Sequence, residues 1–134
     1  MTDGLAATDR AQLQPEAGPP ALGPNNREHD AHRAELDRLW ARGRAFLGTD
    51  LAIMGGAMTW VSERHLVAAI SNAGGFGVIA SGSMSPDLLS REIAATAALT
   101  ERPFGVNLIT LHPQLMELID VCIEHRVGHV GKAR

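Results

Sequence analysis

Cysteine is nearly missing from this chain. Cys122 stands alone among 134 residues, so no internal disulfide can form, and a reducing cytoplasm is the expected setting. Tyrosine is absent, and the aromatics amount to two Trp and three Phe. With a formal net charge of −3, this leaves neither a basic surface nor an aromatic platform for a nucleic-acid partner. No apolar run approaches the ~20 residues that span a bilayer, which excludes a membrane helix. The first residues lack the basic and apolar blocks of a secretory signal, and their acidic residues argue against a transit peptide. What remains is 45% hydrophobic and 20% charged, the composition of one soluble globular domain with a modest core.

Proline is concentrated where structure is least expected. Residues 1–24 contain Pro15, Pro19, Pro20 and Pro24 with little that packs, and they read as a disordered tail. From 25 to 48 the pattern changes. Leu36, Leu39, Trp40 and Leu47 recur at helical spacing between charges, predicting an amphipathic leader helix weakened at Gly43 and stopped at Gly48.

Beyond Gly48 short apolar runs alternate with helical patterns. "LAIM" (51–54), "FGVIA" (76–80) and "FGVNLI" (104–109) suit parallel strands covered on both faces. Ser62 is the expected N-cap of the first intervening helix, whose buried stripe is Leu66, Val67 and Ile70; Asn72 and Gly74 end it. Ser85, Pro86 and Asp87 open the second, with Leu88, Leu89, Ile93 and Ala97 facing inward. The third starts near "HPQL" and buries Leu115, Leu118, Ile119 and Cys122. This alternation predicts an α/β fold of parallel βα units with right-handed crossovers, either doubly wound or a (β/α)8 barrel.

The glycines divide by position. Gly74, Gly75 and Gly77 lie between a helix and the following strand, the wrong end of a parallel sheet for a ligand, so they serve as a helix cap and a tight turn. Gly55 and Gly56 follow a strand instead. They either let a flat ligand approach the backbone or form a tight βα turn. Asn107 interrupts an apolar strand, where a carboxamide must find partners because burying it unsatisfied costs about 1–3 kcal/mol. Its donor and acceptor suit a heteroaromatic ring edge, or else it is tied to neighbouring backbone.

Taken together, "IMGGAMTWVS", "AAISNAGGFGVIASGSMSP" and "LTERPFGVNLITLHP" resemble the nitronate monooxygenase (2-nitropropane dioxygenase) family, which also contains flavin-dependent enoyl-acyl-carrier-protein reductases. The resemblance runs from about Gly48 to Val130. It implies that 49–134 form about three βα units of a (β/α)8 barrel with non-covalent FMN over the C-terminal ends of the strands. Backbone at Gly55, Gly56, Ala57 and Met58 would line the flavin, the Asn107 side chain would contact its ring, and Ser81 would lie beneath. Many relatives carry Gln where this chain has Met54.

A fourth strand is expected to start at "VGHV", but "GKAR" looks foreign to a buried barrel strand. The resemblance places the family's catalytic His after strand four and its phosphate loops after strands seven and eight, so no catalytic residue is assigned. The expectation is a truncated or frame-shifted member that binds FMN weakly or not at all and self-associates through an open sheet edge. The histidines add no metal site. His29 and His32 lie on the leader helix without a third ligand, His65 sits in a helix, and His112 caps one or lies at the site's rim. His125 and His129 straddle Gly128 at a helix end. Three functions follow: FMN-dependent oxidation of alkyl nitronates by oxygen, FMN- and nicotinamide-dependent reduction of enoyl thioesters, or an inactive remnant.

Overall fold

The structure, a computed structural model, describes residues 26–133, with side chains from 29 to 131. The tail expected over 1–24 lies outside the described residues. Seven elements follow in order: α1 (Asn26–Leu47), α2 (Arg64–Asn72), β1 (Gly77–Ala80), α3 (Pro86–Leu99), β2 (Phe104–Ile109), α4 (Leu115–Glu124) and β3 (His129–Ala133).

The three strands form one parallel sheet in chain order, β1-β2-β3. Each successive pair is joined through a helix, as parallel strands require. Before β1, Met54 makes an isolated parallel bridge with Phe76. The chain is extended there, since Phe76 N–H donates to Ile53 O and Gly55 N–H to Phe76 O, each at 2.9 Å. The expected strand over 51–54 is thus reduced to one bridge. Its residues lie at the margin of the sheet, and Ile53 and Met54 are about half exposed rather than covered on both faces.

"VGHV" does lead into a strand, and that strand carries on through Gly131, Lys132 and Ala133 paired with β2. A lysine in this run is compatible with pairing because ladder hydrogen bonds come from the backbone, whatever the side chain. The strand expected to start at "VGHV" is thus present and extends as far as Ala133.

Helices α2, α3 and α4 cover one face of the sheet, while Leu47 at the end of α1 packs with Phe76 and Val78 on the other. Val67 of α2, Leu89 and Ile93 of α3 and Leu118 of α4 bury themselves against Ile79 and Val106. Full burial of each such side chain contributes about 1.5–3 kcal/mol, which is what holds the layers together. On α3 the inward positions include Glu92 and Thr96, while Ala97 faces solvent. The stripe sits nearer the Glu92 side than the apolar pattern predicts because Arg64 holds the Glu92 carboxylate there. That guanidinium pairs with both carboxylate oxygens, and the Arg64 backbone N–H donates to Oε2 at 3.2 Å.

Local chemistry sets the helix ends. Ser85 Oγ accepts from Leu88 N–H with Pro86 in the first turn, as expected. For α2 the cap is Glu63, whose Oε1 accepts from His65 and Leu66 N–H. Ser62, the expected cap, is buried and spends its hydroxyl on the preceding loop instead. At the other end of α2, Gly74 takes φ +88°, a left-handed conformation costly for a residue with a Cβ. Gly77 is pressed so closely on α2 that a Cβ there would collide with the Val67 carbonyl. Ser71, fully buried, donates to Pro103 O at 3.0 Å and accepts from Gly77 N–H at 3.2 Å, tying α2, β1 and the approach to β2 to one hydroxyl.

Candidate functional site

The register decides what faces the side of the sheet opposite the helices. Val78, Gly105 and His129 form one row across it, and Ala80, Asn107 and Gly131 the next. Asn107 therefore stands between two small residues, and a Cβ built on Gly131 would lie 3.6 Å from its Oδ1. This row borders a cavity of about 520 Å³, lined also by Met54, Ala57, Phe76 and His129. The cavity joins two places that the sequence singled out, the loop after residue 54 and the middle of β2.

The Asn107 side chain is half-buried, and none of the described residues hydrogen-bonds to its carboxamide. Its backbone carbonyl, in contrast, is doubly used, accepting from Ser81 N–H at 3.3 Å and from Ser81 Oγ–H at 2.7 Å. Strand β2 is thus pinned while the carboxamide stays available. Tying to neighbouring backbone, the structural alternative for this side chain, is not what the geometry shows.

The loop from Gly55 to Met58 is held from outside. Ser62 Oγ donates to Gly56 O and accepts from Met58 N–H, both at 3.0 Å, and Ser62 O accepts from Ala80 N–H at 3.1 Å. The N–H groups of Gly56 and Ala57 have no acceptor among the described residues. The two glycines differ. A Cβ on Gly55 would meet the tip of the Ile70 side chain of α2, which would have to shift to make room. A Cβ on Gly56 would meet nothing within 4 Å, so that side of the backbone is open to a ligand. Ser81 is fully buried beneath the site, with its hydroxyl committed to Asn107 O, and Met58 is half exposed with its N–H already donated.

His129 forms part of the cavity floor. Its ring lies edge-on to Phe46 and Phe76 at 5.1 and 5.0 Å between centroids, and its Nε2 donates to Phe46 O at 2.8 Å. This contact docks the end of α1 against β3. The sequence set His129 beside a helix end and within the strand expected from "VGHV"; that strand begins 25 residues after β2 (Phe104 to His129), which puts the imidazole on the cavity face. His112 Nδ1 accepts from Gln114 N–H at the start of α4, and His125 is hydrogen-bonded to Ser90. Burial pushes the Cys122 thiol up from its ordinary range, which keeps it protonated and unreactive in the core. His29 and His32 are exposed, and no group of three His, Cys, Asp or Glu gathers among the described residues. No helix among them is long and apolar enough to cross a membrane.

The nitronate monooxygenase family profile matches residues 42–130. The chain is 40% identical over 62 residues to the (3aS,4S,5R,7aS)-5-hydroxy-7a-methyl-1-oxo-octahydro-1H-indene-4-carboxyl-CoA dehydrogenase of Mycobacterium tuberculosis, covering 46% of this chain and 18% of that protein. It is 40% identical over 67 residues to a nitronate monooxygenase of Paraburkholderia phytofirmans, covering 50% and 18%. Among solved structures, FabK from Thermotoga maritima matches with a TM-score of 0.67 at 41% identity, over 68% of this chain and 29% of that one. A nitroalkane oxidase from Streptomyces ansochromogenes matches with a TM-score of 0.60 at 25% identity, over 67% and 35%. The chain thus spans about a fifth of these curated relatives and about a third of these solved chains. Strands that add in chain order, with the connecting helices on one face, are successive units of a TIM barrel, and the chain belongs to the nitronate monooxygenase family.

Proposed function

We propose that this chain supplies one wall of an FMN site in an oxidoreductase of the nitronate monooxygenase type, acting on alkyl nitronates with oxygen. The observation that carries the reading is the Asn107 carboxamide, without a hydrogen-bond partner among the described residues and bordering the same cavity as Ala57. A flat ring lying there would meet the open face of Gly56, the N–H groups of Gly56 and Ala57, and the donor and acceptor of Asn107. Gly55 and Met58 shape the loop, while Ser81 acts from beneath by fixing the Asn107 backbone. These residues fit a ring edge that needs both hydrogen-bond donors and acceptors. Bound there, the flavin would supply the two-electron acceptor, while the protein positions ring and substrate.

A second reading keeps the same wall but reduces enoyl thioesters with a nicotinamide donor. The likeness to FabK and to a CoA-thioester dehydrogenase favours it. A remnant without activity is the third. A cytoplasmic setting fits the lone, buried Cys122, and the edge of β3, which pairs with no further strand among the described residues, would be the surface for self-association.

The test is titration of FMN with the 134-residue chain, followed by quenching of flavin fluorescence, together with nitronate-dependent oxygen uptake. A site built from one wall should give saturable binding weaker than about 100 µM and no turnover. Micromolar binding with oxygen uptake would overturn the single-wall reading, and no saturable quenching at millimolar FMN would overturn the flavin reading.

A further inference from the structure

Three serines are buried among the described residues, Ser62, Ser71 and Ser81. A hydroxyl taken out of water must find partners, so each one joins groups that the sequence keeps apart. Ser71 ties α2 to β1 and to the approach to β2, and Ser81 holds the backbone of Asn107. Ser62 is the one whose hydroxyl works entirely on the loop beside the cavity.

What that hydroxyl does follows from peptide geometry. Its O–H donates to Gly56 O and its oxygen accepts from Met58 N–H, both at 3.0 Å, so one group grips the chain on either side of Ala57. Gly56 C=O and Ala57 N–H belong to one peptide unit, and in a trans peptide they point in opposite directions. With the carbonyl drawn to Ser62, the Ala57 N–H is aimed away from it. That N–H has no acceptor among the described residues, and Ala57 lines the cavity. Gly56 is exposed, with open space where a Cβ would stand, and gives the peptide no side-chain restraint of its own. The serine backbone completes the attachment. Its N–H donates to Met58 O at 2.8 Å, and its carbonyl accepts from Ala80 N–H at 3.1 Å. Ala80 pairs with Asn107 and adjoins Ser81, so both parts of the site hang from neighbouring residues at the end of β1.

We propose that Ser62 is a positioning residue of this site, fixing the Gly56–Ala57 peptide so that the Ala57 N–H is presented to a hydrogen-bond acceptor on the ligand, in register with the Asn107 carboxamide. The identity of the ligand rests on the flavin-site reading; the orientation of the peptide does not. The hydroxyl acts only through the peptide it holds. Its contribution is pre-organisation, since a peptide already held in place loses little freedom when a ring docks on it.

The test compares the 134-residue chain with Ser62→Ala and Ser71→Ala by amide-resolved NMR. Ser71→Ala is the control for losing a buried hydroxyl that serves the scaffold alone. Without ligand, the Met58 N–H should exchange about tenfold faster or more in Ser62→Ala, measured against the amides of β2 in the same variant. On titration with FMN the Ala57 cross-peak of the parent should move saturably. Ser62→Ala should weaken FMN binding about fivefold or more and blunt that movement, whereas Ser71→Ala stays within about twofold of the parent. Ser62→Cys, of similar size but with a weak donor and acceptor, should fall between parent and alanine, and replaces Ser62→Ala if that variant unfolds. Met58 exchange that rises only in step with β2 would overturn the proposal, and so would FMN binding weakened equally by Ser62→Ala and Ser71→Ala. A parent whose spectrum FMN leaves unchanged, with Met58 responding as expected, overturns the flavin reading alone. FMN binding that Ser62→Ala leaves within about twofold of the parent overturns the Ser62 assignment alone.

Discussion

Replacing Asn107 by Leu separates a ligand contact from a core amide. If backbone neighbours held the side chain, the substitution would orphan buried groups at a cost of about 1–3 kcal/mol. In the structure the carboxamide bonds to no described residue, and Ala80 and Gly131 on either side leave room for a branched side chain of similar length. Stability should therefore change by less than about 0.5 kcal/mol, and the gain of an apolar side chain against the cavity pushes the sign toward stabilisation. The ligand loses one or two hydrogen bonds at roughly 0.5–1.5 kcal/mol each, so FMN affinity should fall about tenfold. Urea unfolding followed by circular dichroism reads the first quantity, and flavin fluorescence the second. Asn107→Asp, of equal size but without the donor, should also weaken binding. A Leu variant destabilised by about 2 kcal/mol or more, with FMN affinity unchanged, would refute the reasoning.

Two further substitutions test the scaffold. Ser71→Ala removes a donor from Pro103 O and an acceptor from the buried Gly77 N–H, and should cost about 2–3 kcal/mol in urea unfolding; a loss below about 0.5 kcal/mol would show that the α2–β1 junction does not depend on that hydroxyl. Hydrogen bonding to Arg64 lowers the Glu92 carboxyl from its ordinary range. Its stabilising contribution is therefore complete above the unfolded-state value of about 4.3 and is lost as pH falls through the lower folded-state value. The urea midpoint of the parent should drop more steeply than that of Glu92→Gln on acidification through this range, and parallel curves would remove Glu92 as the cause.

The order of elements was legible because each signal is local. Pro86 behind Ser85 marks a helix start from two adjacent residues, and an apolar run such as 104–109 needs no distant partner to be recognised. Gly74 announced a left-handed turn for the same reason. Resemblance brought out Gly56, Ala57 and Asn107 together, since no periodicity links residues about fifty positions apart.

Long-range geometry alone decided the rest. Residues 51–54 have the composition of a buried strand, yet they lie at a margin where little covers them. Ser62 and Glu63 are both good caps, and the choice fell to Glu63 because the loop at Gly56 claimed the serine hydroxyl. Whether Asn107 was a satisfied core amide or an available one depended on what stood beside it. The register answered by placing Ala80 and Gly131 there and by giving Ser81 to its backbone rather than its side chain. A sequence states which groups can hydrogen-bond or pack. Only the folded chain, with each group able to satisfy a limited number of partners, determines which of them remain free for a ligand.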